Sequence, residues 1–193
     1  MNRNLSRMLF IVPRMYTESE FKDLVSIIPQ DFETKTYEFW SYVEDKLKAF
    51  VGKIQKVYRD EIYEGGEKAL AYLSTVDREN FLMVKKLVDG GAVFEATEDS
   101  MLVAESASWI EAIRHNPLDT VSLEMLRETV RERDDFVSRR VEETLHDDET
   151  GVLFIKPNRA VDLNGSVKVI RVCRFDPADY LRSWQVQLKA TRQ

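Results

Sequence analysis

Cysteine is almost absent: Cys173 is the only one in 193 residues. That excludes an internal disulfide and any zinc site built from several thiolates. A reducing, cytoplasmic setting fits, and a lone thiol in an apolar strand-like run reads as a buried core residue. Histidine is nearly as scarce. His115 and His146 fall near the C-terminal ends of helical patterns, where an imidazolium suits the helix dipole, and away from any strand end. A metal centre here would need oxygen ligands, which favours Mg²⁺, Ca²⁺ or Mn²⁺ over Zn²⁺. The chain has no Walker loop, no Gly-x-Gly-x-x-Gly and no Gly-x-Ser-x-Gly elbow. Those routes to nucleotide cradling and to a serine nucleophile are closed, and no cofactor is named by a motif.

Long hydrophobic runs are missing too. None approaches the roughly 20 residues that a membrane span requires. The run Met8–Val12 behind Arg3 and Arg7 is shorter than a secretory signal core and lacks a small-residue cleavage site. Positive charge is in deficit, with 28 Lys and Arg against 34 Asp and Glu, a formal net charge of -6. Nucleic acid and anionic lipid are thus not expected as partners, because both are bound through a surplus of basic residues.

What is present is a 44% apolar composition, enough for one full core. The apolar residues cluster as short runs separated by helical patterns, which predicts a single α/β domain over residues 1–193. Its core is a small, mainly parallel four-stranded sheet flanked by long helices. The strands are expected at about 7–12, 92–95, 151–156 and 167–172. The first of these runs is continuous rather than alternating, the mark of a strand buried on both faces. Asn164-Gly165, between the last two, has the composition of a tight hairpin and is the local argument for one antiparallel pair.

Helices are expected at 19–28, with Ser19 as cap, at 67–75, 78–88, 98–114 and 119–146, and after Asp176-Pro177. From Thr36 to Tyr63 a three-and-four spacing of Trp40, Val43, Leu47, Phe50, Ile54 and Val57 predicts one long helix of about 40 Å. Its apolar stripe would serve mainly as core, or as the seam of a homodimer. The Arg-rich run 127–140 is interleaved with acids and reads as a solvated helix face.

In open α/β sheets ligands gather at the carboxyl ends of the strands. That rule selects Arg14, Tyr16, Thr17 and Glu18 after the first strand and Glu95, Thr97, Glu98 and Asp99 after the second. It also selects Lys156, Asn158 and Arg159 after the third, and Arg174 and Asp176 after the fourth. Thr97 suits a helix cap, with Glu98 and Asp99 in the favourable first turn. Glu95 precedes the cap and needs a cation such as Arg159, Lys156 or Arg14.

Several of these segments together resemble a group of prokaryotic α/β proteins similar to the TraB, ChaN and erythromycin-esterase-like proteins. Pro13-Arg14-Met15-Tyr16-Thr17-Glu18 matches a Pro-x-x-His-Thr-Glu pattern except at the histidine. Gly91-Ala92 through Thr97-Glu98-Asp99 matches a Gly-Ala-x-x-x-x-Thr-Glu-Asp pattern. Arg133-Asp134, Arg140 and Thr144-Leu145 resemble the group's helical motif, and Asn158-Arg159 stands where the group has a histidine after the third strand. The resemblance covers most of the chain and implies a strand-end crevice. Both histidine positions are replaced, by Tyr16 and Arg159, and neither side chain takes over an imidazole's role at neutral pH. The expectation is a crevice repurposed for a small anionic ligand, lined by Arg14, Tyr16, Glu18, Glu95, Glu98, Asp99, Lys156, Asn158 and Arg159. The alternatives are a metal-dependent, hydrolase-like enzyme using Glu18, Glu95, Glu98 or Asp99, and a dimerising interaction protein using the 36–63 segment.

Overall fold

The computed structural model describes residues 7–191; Arg3 lies outside them. Its sheet has five strands: β1 (Arg7–Pro13), β2 (Lys56–Arg59), β3 (Val93–Phe94), β4 (Thr150–Ile155) and β5 (Val167–Arg171). Their spatial order is β3-β2-β4-β1-β5, and every ladder is parallel. The helices are α1 (Glu18–Leu24), α2 (Phe32–Leu47), α3 (Gly66–Val76), α4 (Arg78–Asp89), α5 (Ser100–His115), α6 (Thr120–Thr144) and α7 (Pro177–Thr191).

The continuous apolar runs supply both faces of this sheet. Phe10, Val12, Val57, Val152 and Phe154 belong to one cluster, together with Phe21, Phe39, Trp40, Val43, Leu47, Leu73, Val84, Leu87 and Leu181 from α1, α2, α3, α4 and α7. Leu9, Tyr58, Leu153, Ile155 and Val167 form a second cluster with Val137, Val141 and Leu145 from α6 and its C-cap. Adjacent strand residues thus divide between the two clusters, as the period of two requires.

The main departure from the sequence expectation is the 36–63 segment. Its helix ends at Leu47, a 3-10 turn covers Lys48–Phe50, and Gly52 adopts a left-handed conformation with φ of 78°. The chain then enters β2, the additional strand. Gly52, two residues past the 3-10 turn, turns the chain towards β2 in a conformation that costs other residues. Trp40, Val43, Leu47, Ile54 and Val57 are all buried in the core. The stripe expected to line one helix face is divided between a helix and a strand.

The connection from β4 to β5 is not a hairpin, because both strands pair with β1 and run parallel to it. It carries no helix. Instead an extended segment lies along α6: the N–H groups of Ala160, Asp162 and Asn164 donate to Asp134 Oδ2 at 3.1 Å, Ser138 Oγ at 3.1 Å and Glu142 Oε1 at 2.7 Å. Two extended residues advance about 6.6 Å and four helical residues about 6 Å, so the two repeats match over this length. Val161 and Leu163, between the donors, pack against the second cluster. Asn164-Gly165 is a turn at the end of this strap.

Smaller differences concern caps. Thr17, not Ser19, caps α1 in a capping box with Glu20. Cys173 sits just beyond β5 and is half-buried.

Gly65 fixes how the β2–α3 loop meets β3. A Cβ there would lie 2.8 Å from the Phe94 carbonyl oxygen and 3.2 Å from Ala96 N, both backbone atoms. Gly65→Ala is expected to cost about 1–3 kcal/mol through this overlap. Urea unfolding measures it, and an unchanged midpoint would mean that the loop does not approach β3 so closely.

Candidate functional site

The carboxyl ends of β1, β2 and β4 converge on Arg14. This guanidinium is fully buried. Its Nε donates to Asp60 Oδ1 at 3.0 Å, and its two terminal nitrogens donate to the two oxygens of Glu20, each at 2.8 Å. Asp60, also fully buried, accepts the Lys156 backbone N–H through its other oxygen at 3.0 Å. One carboxylate therefore binds the side chain following β1 to the backbone following β4 from its place at the end of β2. Glu20 has two tasks as well, since it also accepts the Thr17 N–H in the capping box. The sharp turn that puts α1 after β1 is thereby tied to Arg14.

Arg59, buried beside Asp60, reaches the start of α4. Its Nε donates to Asn80 Oδ1 at 3.1 Å, Nη1 to the Asp60 carbonyl at 2.8 Å and Nη2 to Asp77 Oδ2 at 3.4 Å. Asp77 caps α4 by accepting the Asn80 N–H. Glu61 is next, and it has φ of 66°, a left-handed conformation that a non-glycine residue adopts only at some cost. This geometry lets it face two ways. Its carboxylate meets Lys156 Nζ at 2.5 Å and Arg14 at 3.3 Å, while its backbone N–H donates to Glu98 Oε1 at 3.0 Å.

Glu98 is the centre of a second group. Arg133 of α6 grips it with Nε at 2.6 Å and Nη2 at 3.0 Å, and Arg159 Nη1 donates to it at 2.6 Å. Arg159 Nε pairs with Asp134, and Arg133 Nη1 donates to Ser106 on α5. The run 127–140 is thus not wholly a solvated face: Arg133 is 8% exposed. Arg159 Nη2 and Asn80 Nδ2 are buried without a hydrogen-bond partner.

The electrostatics follow from this crowding. Burial would raise the Glu20 carboxyl, but hydrogen bonds and charge from Arg14, with Lys156 beyond, outweigh it and bring it down to about 2. Burial likewise opposes ionisation of Asp60, and Arg14 and Arg59 reverse that effect, holding it well below the usual carboxylate range. For Asp77 burial outweighs the same two arginines, and its carboxyl is raised. Burial would lower the Lys156 ammonium, yet Glu61 and Asp60 raise it. Arg159 is also raised, Glu98 and Asp134 outweighing its burial. The first group sets Arg14, Arg59 and Lys156 against Glu20, Asp60, Glu61 and Asp77; the second sets Arg133 and Arg159 against Glu98 and Asp134. The arginines are already matched by internal acids.

Of the residues selected from sequence, Arg14, Lys156, Glu98 and Arg159 enter this network. Tyr16 lies beside it but buried, its ring edge-on to Phe21 and its hydroxyl pushed up by burial. Glu18 is exposed and paired with Lys22. Glu95 finds its cation in Lys56, at 2.5 Å, rather than in Arg14, Lys156 or Arg159. Asn158 is exposed. The three acids before α5 divide differently from the expectation. Asp99 is the cap, accepting from the Met101 and Leu102 N–H groups, whereas Thr97 is buried and accepts the Arg59 N–H. Glu98 is committed to the arginines. Arg174 is not in the network, and Asp176 pairs with Arg171 and accepts the Ala178 N–H at the start of α7. Among the described residues, no three or more His, Cys, Asp or Glu gather as a metal cage.

Sequence reasoning missed Glu20, Arg59, Asp60, Glu61, Asp77 and Asn80; Arg133 and Asp134 entered only through the resembled helical motif and were not among the expected site residues. The triplet Arg59-Asp60-Glu61 follows the apolar pair Val57-Tyr58, a strand-end signature masked by the helical spacing around it. Beyond the strand ends, the β2–α3 loop bounds a cavity of about 160 Å³ lined by Glu61, Ile62, Tyr63, Glu64, Lys68, Ala69 and Tyr72.

No family model, curated protein or solved structure matches the chain. The resemblance to the TraB, ChaN and erythromycin-esterase-like group rests on the sequence motifs alone.

The lowered Glu20 carboxyl makes stability depend on acid. Its folded value of about 2 lies below the ordinary carboxylate value, so its contribution is complete above roughly pH 4.5 and is lost as pH falls towards 2. Glu20→Gln is expected to lower the urea midpoint at pH 7 and to flatten its decline below pH 4.5. Equal acid slopes in variant and parent would contradict the pairing with Arg14.

Proposed function

We propose that the chain is a binding protein for a small anionic molecule, a carboxylate or phosphate, taken up at the carboxyl edge of the sheet by Arg159 and Lys156. The observation that carries this reading is the buried Arg159 Nη2, a donor without a partner on a side chain only 5% exposed. A buried guanidinium nitrogen left unpaired is costly, and an anionic oxygen meeting it recovers that cost. Lys156 stands at the rim with 27% of its side chain exposed, held by Glu20 and Glu61, which are 24% and 28% exposed. An incoming anion exchanges with these partly solvated acids more readily than with the sealed Asp60. Binding therefore proceeds by partner exchange, since the internal acids already neutralise the cations.

Catalysis has less support. Asp60 and Asp77 have carboxyls driven apart, a pattern found in acid–base pairs, but their side chains are 0% and 5% exposed and covered by Arg14 and Arg59. Glu18, Glu95, Glu98 and Asp99, the acids a hydrolase would use, are each engaged in a different contact. Tyr16 and Arg159 stand at the two positions where the resembled group has histidine.

Thermal unfolding with inorganic phosphate or acetate tests the reading against sodium chloride at equal ionic strength. The parent midpoint is expected to rise with anion concentration, and Arg159→Lys, which keeps the charge but loses the fork, to rise less. No anion-dependent shift, or the same shift in Arg159→Lys, would refute the site.

A further inference from the structure

We infer that the ligand is an aryl acid, whose ring enters the cavity beside Tyr63 and Tyr72 while its carboxylate or phosphate meets Lys156. This inference rests on the anion reading above and adds the other half of the molecule. The cavity and the ion network share one residue. Glu61 lines the cavity and also touches Lys156 Nζ at 2.5 Å, so the cation lies one side chain from the cavity wall.

The cavity's size and lining suit a single ring. It is open to solvent, and its volume of about 160 Å³ is of the order of the roughly 150 Å³ that holds one benzene ring in an enclosed cavity. Ile62 and Ala69, each 2% exposed, supply apolar surface, and Tyr63 and Tyr72, 49% and 43% exposed, supply aromatic surface available to a guest. Aromatic rings favour offset or edge-on contact with another ring.

The loop that carries these groups is held in advance. The Ile62 carbonyl accepts both the Thr97 and Glu98 N–H groups, at 2.7 and 2.8 Å, and Gly65 is pressed against the backbone of Phe94 and Ala96. A ring entering the cavity meets walls that need little ordering, which lowers the entropic cost of binding.

The charges around the cavity accept an anionic substituent. Glu64 accepts from Lys68 Nζ at 2.9 Å, and Glu61, which also touches Arg14 at 3.3 Å, keeps that cation when the head group draws Lys156 away. Helix α3, which contributes Lys68, Ala69 and Tyr72 to the lining, starts with Gly65 as N-cap and no side-chain cap, so the positive end of its dipole lies at this loop.

The test compares acetate, benzoate and the neutral benzamide by calorimetric titration of the full chain and of Tyr72→Ala, an exposed position whose truncation leaves the core intact. Benzoate is expected to bind about tenfold or more tightly than acetate, because the ring adds buried apolar area to the same head group. Benzamide is expected to bind more weakly than benzoate. In Tyr72→Ala the benzoate advantage falls to about twofold, and acetate binding is unchanged. If acetate binds but benzoate is no tighter than acetate, the ring pocket is overturned and the anion site stands. Undiminished benzoate binding by Tyr72→Ala has the same meaning. If benzoate and benzamide bind equally, or nothing binds, the anionic half fails and both readings fall together.

Discussion

The buried pair of Arg14 and Asp60 is the interaction on which the sheet's carboxyl edge depends. Burying two charges is expensive, and an ion pair repays that cost only with good geometry and full hydrogen bonding. Asp60 meets the condition by giving one oxygen to Arg14 and the other to the Lys156 backbone. Arg14 meets it with its remaining nitrogens on Glu20. The pair thus links the ends of β1, β2 and β4, three neighbours in the sheet whose segments are far apart in the chain. Around it, α1 is oriented through Glu20 and α4 through the Arg59 contacts to Asp77 and Asn80.

A second consequence is that the edge is self-neutralised. In many parallel sheets this location presents unpaired polar groups to a ligand. Here arginine is plentiful, but each guanidinium is answered by an internal acid, and what faces solvent is a rim of Glu20, Glu61 and Lys156. Glu61 couples the two halves of the network, with its side chain in one and its backbone N–H in the other. A ligand that drew Lys156 away from Glu61 would remove one of the contacts that hold a left-handed residue in place. Its effect would reach Glu98 and α6 through that residue's own peptide.

Much of the fold was legible. The runs at β1 and β4 are continuous and bounded by turn residues, so their burial on two faces showed directly in the sequence, whereas β3 and β5 are the edges of the sheet and leave Val93 and Val169 exposed. β2 was hidden because Lys56–Arg59 is too short to reveal a period of two, and because Leu47, Phe50, Ile54 and Val57 continue a helical spacing by coincidence across Gly52. Losing β2 also concealed Arg59, Asp60 and Glu61. The rule that polar residues after strands form a site did select Arg14, Glu98, Lys156 and Arg159. It could not select Arg133 or Asp77, because their partners come from distant segments and their local sequence has an adequate explanation as a helix face and a cap. Thr97-Glu98-Asp99 shows the limit of local reasoning: any of the three suits a helix start, and only tertiary contact with Arg133 and Arg159 removes Glu98 from that role.

The most direct measurement is a double-mutant cycle on Arg14 and Asp60, followed by urea unfolding at pH 7. Arg14→Met and Asp60→Asn each remove one member of the pair, and each is expected to lose about 3–5 kcal/mol. The double variant is predicted to lose less than the sum by more than about 1 kcal/mol, since neither partner is then left charged and alone. Losses that simply add, or single variants as stable as the parent, would contradict the claim that this pair holds the edge together.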